Sequence, residues 1–304
     1  MSSALSRQPT AATLDNDPAR RMRKKRRRPS TLAIITLLYI AWSLLPVLVA
    51  VLFSFNSGRS RTEWQGFSLR WYFTDPDRSV WHDPSMHTAL IHTMRLGILV
   101  TAITIPLGVL LALGLDRWRG RLPQGVNFLV LLSFVLPEVL LAVALLFVAT
   151  TLHTPFKLGM LGQILALVTF QLSYPVIIVR GRMLVIGPQY EQAAVDLGAS
   201  RWGATWRVLM PMLIPAIFAS TVLVFADVID DFVLVRYLSG DASTEPVSVK
   251  IYNTARAAPT PALNALATLV LVASFLVVIL GFLAYKWFSR GEKGVGVQSF
   301  AAEL

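Results

Sequence analysis

Tyr190 to Ala216 reads YEQAAVDLGASRWGATWRVLMPMLIPA, a polar, Gly-broken stretch set between two runs apolar enough to cross a membrane. Ala193, Ala194 and Ala199 are small, Gly198 permits a tight turn, and Pro211 and Pro215 mark the start of the next apolar run. Two short helices joined at Gly198 on one side of a membrane predict a docking element for a partner with a receiving groove.

Working outward, the chain is 55% hydrophobic and only 15% charged over 304 residues, with a mean hydropathy of +0.59. That balance excludes a soluble domain and predicts an all-α integral membrane protein. A spanning helix needs about 20 apolar residues. Six stretches satisfy the rule, near Leu32–Phe55, Leu96–Leu115, Val126–Thr150, Gly159–Val179, Leu209–Val235 and Leu263–Phe288, with the docking loop between the fourth and fifth. The expected organisation is one membrane domain over 31–289, a basic and disordered tail over 1–30, and a second tail over 290–304. Absence of cysteine excludes disulfides, thiol catalysis and Cys-bound metal.

Orientation follows from the cations, because Lys and Arg of short loops face the cytoplasm. With the N-terminus inside, nine fall in the first tail, including the run Arg20–Arg28. Three more are Arg117, Arg119 and Arg121, four are Arg180, Arg182, Arg201 and Arg207, and three are Lys286, Arg290 and Lys293. The nine others of the 28 lie in outer loops or near outer span ends, so both termini are expected in the cytoplasm of a cell-membrane protein. A basic cluster before the first span suits anionic lipid headgroups better than nucleic acid. The apolar run that follows it is longer than a signal-peptide core of about 7–15 residues, which predicts a retained span.

The spacing within the quoted stretch resembles the EAA loop of ABC importer permeases. In that family Glu-Ala-Ala is followed by three residues, Gly, nine residues and Ile-x-Leu-Pro. Here Gln192-Ala193-Ala194, Gly198 and Val208-Leu209-Met210-Pro211 hold those places, with Gln192 where Glu is usual and Glu191 one residue earlier. The resemblance implies that Glu191 or Gln192 contacts an ATPase, that Ala193, Ala194, Gly198 and Pro211 shape the loop, and that Arg201 and Arg207 add polar contacts at the same face.

Further stretches are similar to the spermidine/putrescine branch of these permeases: Phe225-Ala226-Asp227-Val228-Ile229-Asp230-Asp231-Phe232, Tyr237-Leu238-Ser239-Gly240, Pro246-Val247, Ile251-Tyr252, the run Pro261 to Thr268, and Pro137-Glu138. The likeness covers most of Thr31 to Phe288. It implies a second homologous permease, an ATP-binding cassette dimer carrying the ATP and Mg, and an extracytoplasmic binding protein that delivers a polyamine. Thr244-Glu245-Pro246, where the branch often has Thr-Leu-Pro, leaves another cargo open, such as an opine, an amino-acid derivative or another organic cation.

Independently of that likeness, ionisable groups within spans point to function. Glu138 falls near the middle of the third span beside Pro137, whose missing N–H frees a backbone carbonyl. Asp227, Asp230 and Asp231, at i, i+3 and i+4, are expected on one face of the fifth span. These four carboxylates form a candidate pathway that tolerates a cation. The competing reading is structural, with Asp230 or Asp231 paired to Arg236 or to a basic group on the partner permease, and Glu138 protonated or bonded to a neighbouring helix.

Other chemistries find no support. The nearest approach to a phosphate-binding Gly-x4-Gly-Lys-Ser/Thr loop, GRLPQGV at Gly120, places Val126 where Lys is required, so ATP hydrolysis belongs to another subunit. No internal repeat of spans suggests an ion-coupled transporter, and no nucleophile elbow or metal pair suggests an enzyme. His82, His87 and His92, five residues apart, lack the spacing of a helical metal pair and are expected solvated or interfacial. Trp71-Tyr72-Phe73 and Trp81 are expected as interfacial aromatics.

Overall fold

The computed structural model describes residues 31–60, 62–118, 120–151, 157–257 and 260–288. The tail 1–30 with Arg20–Arg28, Arg61, Arg119, and the tail 290–304 with Arg290 and Lys293 lie outside them. Among the described residues, those up to Leu48 and those from Val49 onward form separate units. Helix α1, Thr31–Ser54, carries no charged residue over 24 positions, and its length of about 36 Å suffices to cross a bilayer.

Helix α2 runs Pro84–Arg117, 34 residues, and begins well before the predicted Leu96. Asp83 starts it, accepting from the backbone N–H groups of Ser85 and Met86, with Pro84 in the first turn. Hydropathy alone sees only the apolar part of such a helix. His87, His92 and Arg95 consequently lie on α2 rather than in a loop.

The third span is not one helix. α3, Arg121–Val135, and α4, Glu138–Thr151, are bent by 105° at Leu136–Pro137. Leu136 is extended (φ −61°, ψ 132°), the conformation imposed on a residue before proline. The Pro137 carbonyl then accepts from Leu140 N–H at 3.0 Å and opens α4.

α5, Met160–Gln171, and α6, Ser173–Ile186, form one span of 27 residues, 160–186. The docking stretch becomes α7, Gln189–Asp196, and α8, Arg201–Ala204, followed by a π turn over Thr205–Leu209 and then α9, Met210–Asp230. The predicted extension of the fifth span to Val235 fails at Asp231, where the backbone turns extended and a separate helix α10, Val233–Leu238, begins. α11, Val247–Ala257, and α12, Pro261–Phe288, complete the order. Among the described residues five helices are long and apolar enough to span, six if α3 and α4 are one broken span.

α2 packs against α5, α6 and α9, burying Leu96, Val100, Leu167, Leu213 and Val224. In lipid such contacts depend on close approach rather than on hydrophobic exclusion. Gly108 supplies that approach, since a Cβ there would stand 2.4 Å from Pro175 Cγ on α6. In the segment before α2, Trp71 and Tyr72 are buried against α12 residues Leu263 and Leu266, contrary to their expected interfacial place, while Phe73 and Trp81 are exposed. Trp71 Nε1 donates to the Asn56 carbonyl at 2.6 Å, the partner that a buried indole N–H needs.

Candidate functional site

Three of the four candidate acids lie within electrostatic range of one another. Glu138 sits in the first turn of α4, where the helix dipole favours a negative charge. The carboxyl groups of Asp231 and Glu138 come within hydrogen-bonding reach, and Asp227, one turn before the end of α9, is the next charge beside them. The Tyr174 phenol on α6 lies close to Asp227 and Glu138, its ring edge-on to Phe134 at 5.6 Å. Gln171 Nε2 donates to Asp227 Oδ2 at 2.5 Å. Side-by-side carboxylates repel unless a proton or a cation lies between them.

The polar balance of this cluster is lopsided. Glu138 Oε1 and Gln171 Oε1 are buried acceptors without a hydrogen-bond partner, and a buried acceptor left unpaired costs about 1–3 kcal/mol. Carboxylates and an amide carbonyl are acceptors, so the group is suited to hydrogen-bond donors. An ammonium fits that demand; an anion does not.

Asp231 departs from the expected common face, whereas Asp227 and Asp230, three residues apart within α9, keep it. Asp231 lies past the last turn of α9, and its Oδ1 instead accepts from Val235 N–H at 3.2 Å, holding the start of α10. Asp230, at the end of α9, is exposed, as is Asp227. The anticipated pairing with Arg236 does not occur, because the ion pairs among the described residues are Arg70–Asp75 and Arg117–Glu191. Glu245 is half-buried and accepts from Asn253 Nδ2 at 3.2 Å.

The docking stretch is a helix, a reversal and a second helix. Gly198, at φ +91°, ends α7 with two bonds, its own N–H to the Val195 carbonyl at 2.9 Å and Ala199 N–H to the Ala194 carbonyl at 3.0 Å. This is the reversal that Gly at the position after a helix cap permits. Ser200 then caps α8 by accepting from Gly203 N–H at 3.0 Å. Pro211 stands in the first turn of α9, immediately after the π turn. Gln192, Ala193, Leu197, Arg201, Trp202 and Arg207 are exposed, and Leu197 is 90% exposed at the tip.

Glu191 behaves differently from its neighbours. Its Oε1 accepts from Arg117 Nη2 at 2.7 Å, and the same nitrogen donates to Thr205 Oγ1 at 2.6 Å. The Thr205 hydroxyl, on a fully buried residue, stands 3.0 Å from Glu191 Oε1. The last residue of α2, the docking helix α7 and the π turn before α9 thus meet at one point. Sequence reading took Arg117 for an orientation cation only, since a contact across 74 residues leaves no local signal. His92, expected solvated or interfacial, is instead buried, with Nε2 2.7 Å from Gln163 Oε1.

Comparison with known proteins matches residues 104–294 to the binding-protein-dependent transport system inner membrane component family. The chain is similar to the putrescine transport system permease protein PotI of Escherichia coli (strain K12), with 33% identity over 265 residues covering 86% of this chain and 91% of that one. It is also similar to the spermidine/putrescine transport system permease protein PotC of the same strain, 31% identical over 86% of this chain and 94% of that one. Among solved structures, a chain of a bacterial ABC transporter involved in the import of the acidic polysaccharide alginate matches with a TM-score of 0.67 and 17% identity. The match covers 85% of this chain and 96% of that chain. At that identity the likeness concerns the fold alone.

Proposed function

The chain belongs to the binding-protein-dependent transport system inner membrane component family, as the permease subunit of an ABC importer, and from that premise we propose that its cargo is a polyamine of the putrescine or spermidine type. It is a multi-pass inner-membrane protein that performs no catalysis itself, and the family implies an ATPase and a periplasmic binding protein. We further propose a second, homologous permease beside it, a dimeric ATPase docked on α7 and α8, six spans with α3 and α4 as one broken span, and both termini in the cytoplasm.

The observation that carries the cargo is the convergence of Glu138, Asp227 and Asp231 with two unpartnered buried acceptors. Alternating access moves cargo past fixed groups without covalent chemistry. A flexible polycation can exchange its water for those carboxylates one ammonium at a time, and the short arc of acids prevents a single tight, immobile complex. The similarity to permeases named for putrescine and spermidine supports the same reading. Another organic cation is the second reading, favoured by Glu245 at a place where the branch often has Leu.

The test is ATP-driven uptake in proteoliposomes holding the whole transporter and its binding protein, purified together from the native membrane. Saturable uptake of labelled putrescine or spermidine supports the reading. Uptake of a different organic cation with neither polyamine overturns the cargo and leaves the subunit class intact.

A further inference from the structure

Helix α2 is fastened to elements distant in sequence at its last residue and, toward its other end, in its third turn. At one end Arg117 reaches Glu191 of the docking helix and Thr205 of the π turn, at 2.7 and 2.6 Å. Toward the other, Thr93 Oγ1 accepts from Val247 N–H at 2.8 Å, where α11 begins, and His92 holds Gln163. Gln163 Nε2 in turn donates to the Thr244 carbonyl at 2.9 Å. Thr93 and Gln163 are buried. About 36 Å of continuous helix separates Arg117 from Thr93, and α5, α6 and α9 pack along it.

We infer that Arg117 is a positioning residue that makes α2 a push-rod, passing displacement of the docking helix to the segment around Thr244 and Val247 at the opposite end. The inference rests on the reading of α7 and α8 as the ATPase contact. Loose side chains cannot transmit a displacement, but this joint has three members that meet within 3.0 Å, one of them buried. The Arg117 and Glu191 side chains are 39% and 27% exposed. An ion pair that wet contributes little to folding, so breaking it disturbs transmission more than stability. The same geometry explains why Glu191 turns inward while Gln192 stays exposed to a partner.

The chain has no cysteine, so single cysteines report on each end of the rod in the assembled transporter. Ser243→Cys, in the exposed turn beside Thr244, is labelled with a membrane-impermeant maleimide with and without vanadate-trapped nucleotide. Trapping is expected to change the labelling rate by about threefold or more, and Arg117→Ala is expected to abolish that change while hydrolysis stays within about twofold. The charge-swapped pair Arg117→Glu with Glu191→Arg is expected to restore a third or so of the change, an outcome that a purely orienting cation does not produce.

No change on trapping in the otherwise native background, or the same change in Arg117→Ala, overturns the inference. Should Arg117→Ala not assemble, Thr205→Val keeps the volume and removes the hydroxyl; an undiminished labelling change in that variant overturns it equally. Leu197→Cys, tested for crosslinking to the ATPase, separates the two readings. Without a crosslink the docking assignment falls and takes the push-rod with it. With a crosslink and an unaffected Ser243→Cys response, only the push-rod falls.

Discussion

The Gln171 amide nitrogen donates to Asp227 at 2.5 Å while its carbonyl oxygen is buried without a partner. The side chain is thus anchored to one carboxylate through its nitrogen, and that carboxylate acts electrostatically on Tyr174, as does Glu138. The members of this group can be tested separately.

Neutralising Glu138 and Asp227 together, as Glu138→Gln with Asp227→Asn, is expected to lower polyamine uptake by about tenfold, equivalent to ~1.4 kcal/mol. Asp230→Asn, outside the cluster, is expected to stay within about twofold of the native rate. Uptake in proteoliposomes at matched ATPase content measures both. Equal effects from Asp230→Asn and the double variant remove the cluster from the pathway.

Gly198→Val is expected to uncouple hydrolysis from uptake. Nothing lies within 4 Å of a Cβ at this position, so the harm comes from the backbone at φ +91° and not from a clash. A β-branched residue there costs roughly 1–3 kcal/mol, whereas Asn tolerates left-handed backbone better. The ratio of cargo moved to ATP consumed should therefore fall in the order Gly198, Gly198→Asn, Gly198→Val. An undiminished ratio in the valine variant contradicts the loop's role.

Gly108→Leu tests the packing of α2 on α6. Even a Cβ meets the Pro175 ring at 2.4 Å, and a proline ring has no rotamer by which to retreat. The expected loss is about 1–3 kcal/mol or more, visible as a lower melting temperature in detergent. Gly108→Ala should show a smaller drop of the same sign.

Acid should loosen the segment before α2. Burial opposes ionisation of Asp75, but hydrogen bonds from the Asp77 and Arg78 N–H groups and from the Arg70 guanidinium outweigh it and hold the carboxyl below its ordinary value of 3.8. A depressed carboxyl stabilises the fold above the unfolded value, and that contribution disappears as pH falls through the lower, folded one. The emission of buried Trp71 should stay constant down to about pH 4 and shift red below it. Asp75→Asn should remove this step, leaving emission flat over the same range.

Much of this protein was written locally. The apolar lengths of α1, α2 and α12 alone require membrane helices, because a backbone in lipid must bond to itself. Gly198 followed by Ser200 spells a reversal and a new cap, which is how the docking stretch folds. Pro137 forced the break that sets Glu138 at a helix start, although hydropathy read straight through it.

The sequence by itself thus determined the class, the long apolar helices and the reversal at Gly198, since each depends on bonds and propensities within a few residues. It could not determine which charges meet. Glu138 reaches Asp231 and Arg117 reaches Glu191 only because α4 packs against α10, and the end of α2 lies beside α7. Asp231 left its predicted face for a related reason: a carboxylate that can cap a new helix competes with continuation of the old one, and packing of α10 decides the contest.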